Sequence, residues 1–350
     1  MTDRPAGKVI PFALLLVGLG IGFFAFDGIN LSEIRRAVAA IGMSDAILIL
    51  VSYAMTAVCL AAGWKVLVPN GEAPTLNSFI GARLVRDSVA EILPFSQVGG
   101  FAAGTRALTL AGTPAAMSVA SMAAAIAAEM ISQTLHLGIG AAYLLRSGIA
   151  EDACRTALAG AAIAIPAAIG FVLVQIHGDR LVPVRLRGFV AAMMPDSSAS
   201  EKTQPGNDGE TIGAAVPGER AATKRIWLGE GRPVLSVLLH LIGWILLGAQ
   251  AWLILRGMGF DVDPIDVLAA EALIHGAKSL AFAVPNAIGV QEMAYAAMGT
   301  ALGIGPEAGL ALSLVKRARD FMIGVPVIIG WAIIEGRKFR KRENAKKKDA

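Results

Sequence analysis

The chain has 350 residues, of which 55% are hydrophobic and only 17% charged. Soluble globular domains carry roughly 25% charged residues. That shortfall, with a mean hydropathy of +0.62, excludes disorder, a disulfide-rich secreted domain and an ordinary cytosolic enzyme. The net charge of +4 concentrates in the C-terminal tail. No basic patch interleaved with aromatics points to nucleic acid, and Cys59 and Cys154 lack a metal-ligand spacing.

A membrane-spanning helix needs about 20 mostly apolar residues. Val9–Phe26 is the first candidate. Arg4 and Lys8 precede it and no small-residue cleavage site follows, so it reads as a retained span or signal anchor. Further spans are predicted at Ala46–Val68, Ala115–Leu145, Thr156–Ile176, Val234–Leu255 and Gly309–Ile334. Two long apolar stretches, Leu76–Leu110 and Ile265–Leu302, are broken near their middles, at Pro94–Gly100 and Pro285–Gly289. Each reads as two short helices meeting at a turn, either a re-entrant hairpin or a tight pair of spans. Glycine and alanine at this density suit close helix packing.

Lys and Arg mark the cytoplasmic side. The tail after Glu335 carries Arg337, Lys338, Arg340, Lys341, Arg342 and Lys346–Lys348, and the 178–232 connection holds eight more. The 257–264 connection has Asp261 and Asp263 but no Lys or Arg, which suits the outside. These signals agree with six full spans, two even-numbered hairpins and both termini in the cytoplasm. The stretch from Pro195 to Gly231 is rich in Ser, Gly, Pro, Glu and Thr and reads as a disordered linker.

The two halves resemble each other. Prolines fall at 74, 94 and 114 in the first and at 264, 285 and 306 in the second. Trp64 with Leu67 matches Trp252 with Leu255, and Ala111–Pro114 matches Gly303–Pro306. The expected fold is an all-α polytopic membrane protein built as an inverted repeat. Residues 1–45 form an N-terminal span and connection, 46–145 unit one, and 146–177 a linking span. Residues 178–233 form a cytoplasmic connection, 234–335 unit two, and 336–350 a basic tail. An odd number of crossings precedes unit one and an even number unit two, so the units face opposite ways. Broken helices in inverted repeats are typical of secondary transporters. Irregular backbone at membrane depth must lie inside protein or beside water, so the two breaks are expected to meet in a polar cavity, with Ser96 and Asn286 on its wall.

Charges within the spans are few and costly. Arg83, Asp87 and Glu91 share one helical face, flanked by Arg86. Arg83 and Asp87 can neutralise each other. Arg86 and Arg106 then leave a surplus of cations beside the Gly99 and Gly100 amides, a set that suits phosphate oxygens. Glu271, His275 and Lys278 form the equivalent stripe in unit two, and Glu292 follows Gly289. Lys316, Arg317, Arg319 and Asp320 lie about three turns into the last span. A pair between Glu271 or Glu292 and one of these cations would form a gate. Glu129 and His136 are seven apart and share a face, giving either a proton relay or a satisfied intramembrane contact. No hydrolase, metalloprotease or P-loop motif is present.

The run Arg83-Leu84-Val85-Arg86-Asp87-Ser88-Val89-Ala90-Glu91-Ile92-Leu93-Pro94-Phe95-Ser96-Gln97-Val98-Gly99-Gly100 and the run Val284-Pro285-Asn286-Ala287-Ile288-Gly289-Val290-Gln291-Glu292 resemble the two signature segments of the lysylphosphatidylglycerol synthase transmembrane, or flippase-like, family. Leu310–Asp320 is most similar to the hopanoid-biosynthesis-associated branch. The resemblance covers roughly 46–335. It implies a membrane domain that moves a lipid between leaflets, with the Pro94–Gly100 and Pro285–Glu292 segments lining the path. Best-known members add a soluble aminoacyl-transferase domain. None follows within these residues, so synthase activity is not carried over.

The expectation is a bacterial inner-membrane lipid transporter, not an enzyme, working without a cofactor on a hopanoid or related lipid. Its expected partners are that lipid, the bilayer, and proteins of lipid biosynthesis or export. A competing reading is an integral membrane enzyme that modifies a lipid head group; a third is a non-catalytic member of a biosynthetic complex.

Overall fold

The structure is a computed structural model and describes residues 30–92, 96–181, 218–229, 231–281, 284 and 287–348. The described residues form eleven helices and no strand. The predicted span Val9–Phe26 lies outside them, as do Pro94, Pro285 and Asn286 and most of the 195–231 linker.

A short helix, α1 (Leu31–Ala39), opens the described chain. Asn30 caps it, its side chain accepting the Ser32 N–H at 3.1 Å. Next come α2 (Met43–Lys65), the hairpin α3 (Leu76–Ile92) and α4 (Ser96–Leu110), then α5 (Ala115–Arg146) and α6 (Glu151–Leu181). The second half holds α7 (Glu219–Leu228), α8 (Pro233–Gly257), the hairpin α9 (Pro264–Leu280) and α10 (Val290–Ala301), and α11 (Pro306–Lys348).

Among the described residues, four helices are long and apolar enough to cross a membrane: α2, α5, α6 over Glu151–His177, and α8. Their places match four of the predicted spans. The fifth, Gly309–Ile334, lies inside α11, which carries Lys316, Arg317, Arg319 and Asp320. Helix α6 is the most peripheral, with only 11% of its apolar window buried, whereas α5 is 56% buried and central. Alanine explains the centrality of α5: Ala120, Ala124, Ala125, Ala127 and Ala128 are all buried, and small side chains let neighbouring backbones approach. At the crossing of α2 and α8, Gly243 leaves room for Leu60, and a Cβ on Gly63 would stand 2.6 Å from His240 Nδ1.

The sequence reading missed α7, which falls within the stretch expected to be a linker. Ala222 and Ile226, one turn apart, are buried against α5, and Trp227 Nε1 donates to Gln175 Oε1 on α6 at 3.1 Å. Arg225 pairs with Glu72 in the loop before α3 at 2.5 Å. Ten residues with so few apolar positions give a weak periodic signal.

The hairpin helices pack in a crossed manner. Helix α3 lies against α2 and α11, and α9 lies against α8 and α5. Gly100 and Gly104 bring α4 onto α3, where a Cβ on Gly100 would crowd the Arg86 carbonyl and Ala90.

Candidate functional site

Two groups of ion pairs lie inside the bundle. The first joins α3 to α5. Arg83 Nε reaches Asp87 Oδ2 at 2.6 Å, and Arg83 Nη2 reaches Glu129 Oε1 at 2.7 Å. Arg86 Nη2 takes the other oxygen of Glu129 at 2.8 Å. One carboxylate thus serves two guanidiniums, and two cations face two anions.

The second group joins α9, α10 and α11. Lys316 Nζ donates to Glu271 Oε2 at 2.6 Å, and Tyr295 Oη donates to Glu271 Oε1 at 2.8 Å. His275 Nε2 stands 3.2 Å from Glu271 Oε2 but off the line of a hydrogen bond. Arg317 Nη2 donates to Glu292 Oε1 at 2.6 Å. The other Glu292 oxygen turns back to accept the Gly289 N–H at 2.7 Å. Gly289 has φ of 81°, a left-handed conformation that favours glycine. The Gly-Val-x-Glu run therefore starts α10 and ties its first turn to α11. Arg319 donates to Asp320 Oδ1 at 2.6 and 3.0 Å and also to Gln250 Oε1 on α8.

Several polar and aromatic side chains connect the groups. The Arg319 guanidinium stacks 4.8 Å from the ring of Tyr53 on α2, and Tyr53 is within electrostatic reach of Arg83 and Asp87. Trp244 Nε1 donates to Ser132 Oγ at 3.2 Å, and its ring meets His275 edge-on at 4.8 Å. His240 is fully buried; Nδ1 is 2.8 Å from the Ser236 carbonyl, while Nε2 has no hydrogen-bond partner.

The structure brings together Arg83, Arg86 and Asp87 with Glu129, and Glu271 and His275 with Lys316; it joins Glu292 to Arg317 and Arg319 to Asp320. The pairings foreseen for Glu271 and Glu292 are thus present. Three expectations are corrected. The Arg83–Asp87 pair leaves no cation surplus, because Arg86 is taken by Glu129 and Arg106 Nε by Glu335 Oε1 at 2.9 Å. Counting charge within one segment missed carboxylates supplied by α5 and α11. Gly99 and Gly100 are not turn residues but lie in α4, and Gly100 faces α3. Glu129 and His136 form no relay pair: seven residues are two turns, about 10 Å along the axis. Glu129 is held by arginines, and His136 Nε2 lies 3.4 Å from the Leu268 carbonyl.

Among the described residues, Glu91 and Lys278 have no ion-pair partner. The side chains of Ser96 and Gln97 and the residues Pro94, Pro285 and Asn286 lie outside the described set, so the meeting of the two breaks does too. Tyr53, Gln250, Tyr295, Trp244 and Glu335 are site residues that sequence reasoning passed over. Their one signal was a polar atom inside an apolar run.

A family model described as the lysylphosphatidylglycerol synthase TM region matches residues 11–330. The chain belongs to that family. No curated protein and no solved structure matches it.

Proposed function

We propose that this family member is a multi-pass transporter of the bacterial inner membrane that moves a lipid by alternating access, with a hopanoid or related lipid as its first candidate substrate. Six full spans and two hairpins are arranged as two inverted units, with both chain ends in the cytoplasm. The lipid and the surrounding bilayer are its partners, together with lipid-biosynthesis or export proteins, and it works without enzymatic chemistry. Membership of the family of the lysylphosphatidylglycerol synthase TM region supports lipid handling.

The observation that carries the reading is the pair of buried, self-neutralised charge groups bridging hairpins to spans. Charges at membrane depth persist where they pair or serve a pathway. The crossed packing adds support: the first hairpin helix of each unit lies on the last helix of the other. That is the contact pattern of a two-fold exchange of units. In this state every arginine and lysine of the two groups except Lys278 is matched by a carboxylate. A polyol or zwitterionic head group, which needs donors and acceptors without a net countercharge, suits such a site better than a phosphate monoester.

The test is reconstitution of the full chain into vesicles carrying a labelled pentacyclic triterpenol, with leaflet accessibility read over time. Faster exchange than in protein-free vesicles is expected. No acceleration for this lipid or for labelled phospholipids sinks the transport reading. Lipid analysis of a deletion strain separates the enzyme alternative: transport predicts altered distribution of unchanged species, whereas head-group chemistry predicts loss of one species.

A further inference from the structure

The two charge groups differ in one chemical respect. Arg83 and Arg86 hold Glu129 and Asp87, and a guanidinium does not release its proton in a protein. Glu271 is met instead by Lys316 and His275, both of which exchange protons. We propose that Glu271 is a proton-binding site whose loading frees Lys316 for the lipid head group, so that one proton moves with each lipid; this rests on the transport reading above.

Geometry supports the assignment. The Glu271 side chain is 1% exposed, and its oxygens are engaged from three helices: by His275 on its own helix, Tyr295 on α10 and Lys316 on α11. Adding a proton to it alters contacts on all three at once. Lys316 depends on Glu271 alone for a countercharge. Among the described residues no other carboxylate is free for it, because Glu292 is engaged by Arg317 and Asp320 by Arg319, and its one further contact is the Tyr295 ring face, 5.3 Å from Nζ. An ammonium left without a partner at this depth is strongly disfavoured. It must find oxygen acceptors elsewhere, and a lipid head group supplies them.

The remaining groups around Glu271 leave this logic intact. From α5, His136 and Gln133 face α9; Gln133 donates to the His275 carbonyl at 3.1 Å and to Ser279 Oγ at 2.6 Å. From α8, Trp244 covers the imidazole. Lys278 lies within electrostatic reach of His275 and Lys316 on the same side. His275 is the least buried of the three exchanging groups, with its side chain 13% exposed, and its Nε2 is buried without a hydrogen bond 3.2 Å from Glu271. A small rotation completes that bond. The balance is simple. A proton from water on one side passes by way of His275 to Glu271, whose carboxyl becomes neutral while Lys316 keeps its charge. When the site faces the other side the proton returns to water, Lys316 closes on Glu271, and the head group is expelled.

The experiment uses the full chain with Cys59→Ser and Cys154→Ser, and spin labels at Leu280→Cys on α9 and Met322→Cys on α11, positions that are 86% and 61% exposed. Label distances are measured in vesicles of phosphatidylglycerol and phosphatidylethanolamine at about pH 5 and about pH 8, either side of histidine titration. The expected result is a distance population that grows in acid. Glu271→Gln should show that population at both pH values. Lys316→Arg, whose guanidinium can grip the Glu271 carboxylate bidentately and hold it ionised, should show the alkaline one at both. The Arg variant stands in should the Gln variant not fold. Identical distributions at both pH values in the parent, or an unaltered shift in either variant, overturn the proposal.

The same vesicles with a labelled pentacyclic triterpenol and an imposed pH gradient separate the two claims. Lipid movement that follows the gradient supports coupling. Movement indifferent to the gradient overturns the proton site and leaves transport standing. A pH-dependent distance with no movement of this lipid or of labelled phospholipid overturns the transport reading and, with it, the coupling.

Discussion

Replacing Glu129 by Gln removes the single carboxylate that serves two arginines. Arg83 and Arg86 are then left with Asp87, which lies 2.6 Å from Arg83 but 3.9 Å from Arg86. The side chains of Arg83, Arg86 and Glu129 are 5%, 13% and 14% exposed, so solvent screens them little. Removing one partner of a buried ion pair costs about 3–5 kcal/mol. The Gln side-chain oxygen can still accept from Arg83, which places E129Q near the lower end, about 3 kcal/mol. The assay is equilibrium unfolding of the purified chain in mixed micelles, run as a double-mutant cycle with R86Q. Because the second substitution removes the cation that E129Q strands, the double variant should lose at least about 1 kcal/mol less than the sum of the two single losses. A loss for E129Q below about 0.5 kcal/mol, or strict additivity in the cycle, refutes the shared-carboxylate reasoning.

Gly309→Ala should destabilise strongly, because its Cβ would collide with the Tyr295 carbonyl, whereas Gly330→Ala, with nothing within 4 Å, should gain up to about 1 kcal/mol from helix propensity; thermal unfolding of both variants in detergent decides. Arg106→Gln should cost less than about 1 kcal/mol, and less still at high salt, since Arg106 and Glu335 are each about a third exposed; a large salt-independent drop in the unfolding midpoint contradicts this. Glu292→Gln keeps an acceptor for the Gly289 N–H but loses the carboxylate charge that pairs with Arg317. Glu292→Ala should therefore unfold with a further loss of about 1 kcal/mol, the usual value of a helix cap, and equal stability of the two variants would show that the cap contributes nothing.

Much of the helical layout was readable because the cues are local. Runs of apolar residues marked α2, α5, α6 and α8 within a few residues of their observed ends. Prolines marked where the hairpins divide: α3 stops at Ile92 and α4 starts at Ser96, while α9 stops at Leu280 and α10 starts at Val290. What stayed hidden was partnership. The one pair visible from helical spacing, Arg83 with Asp87, is present. Glu129 reaches Arg83 across 46 positions and Glu335 reaches Arg106 across 229, distances over which spacing carries no information. Segment-by-segment counting therefore found a cation surplus that folding removes. The Gly289–Glu292 signature shows a similar effect. Its glutamate looked like a ligand for substrate, whereas its two oxygens hold a helix start and an arginine on the neighbouring helix.

The two proposed units are alike in outline but not in charge chemistry, and the difference bears on how a transporter could gain a direction. A perfectly symmetric inverted repeat has equal energies facing either side, so it equilibrates a lipid without bias. Here the α3–α5 contact is closed by arginines, whose charge does not vary with pH, while the α9–α11 contact is closed by a lysine beside a histidine. Only the second has an exchanging imidazole 3.2 Å from its carboxylate, by way of which a proton can reach it. A gradient acting on that half alone shifts the balance between the two orientations by the differential affinity of the proton for each. On this reasoning the arginine group is the fixed clasp of the molecule and Glu271 the adjustable one. Lys316→Arg, mild as a change of side chain, is expected to abolish the response to pH because a bidentate guanidinium would hold the Glu271 carboxylate ionised while leaving the ion pair in place.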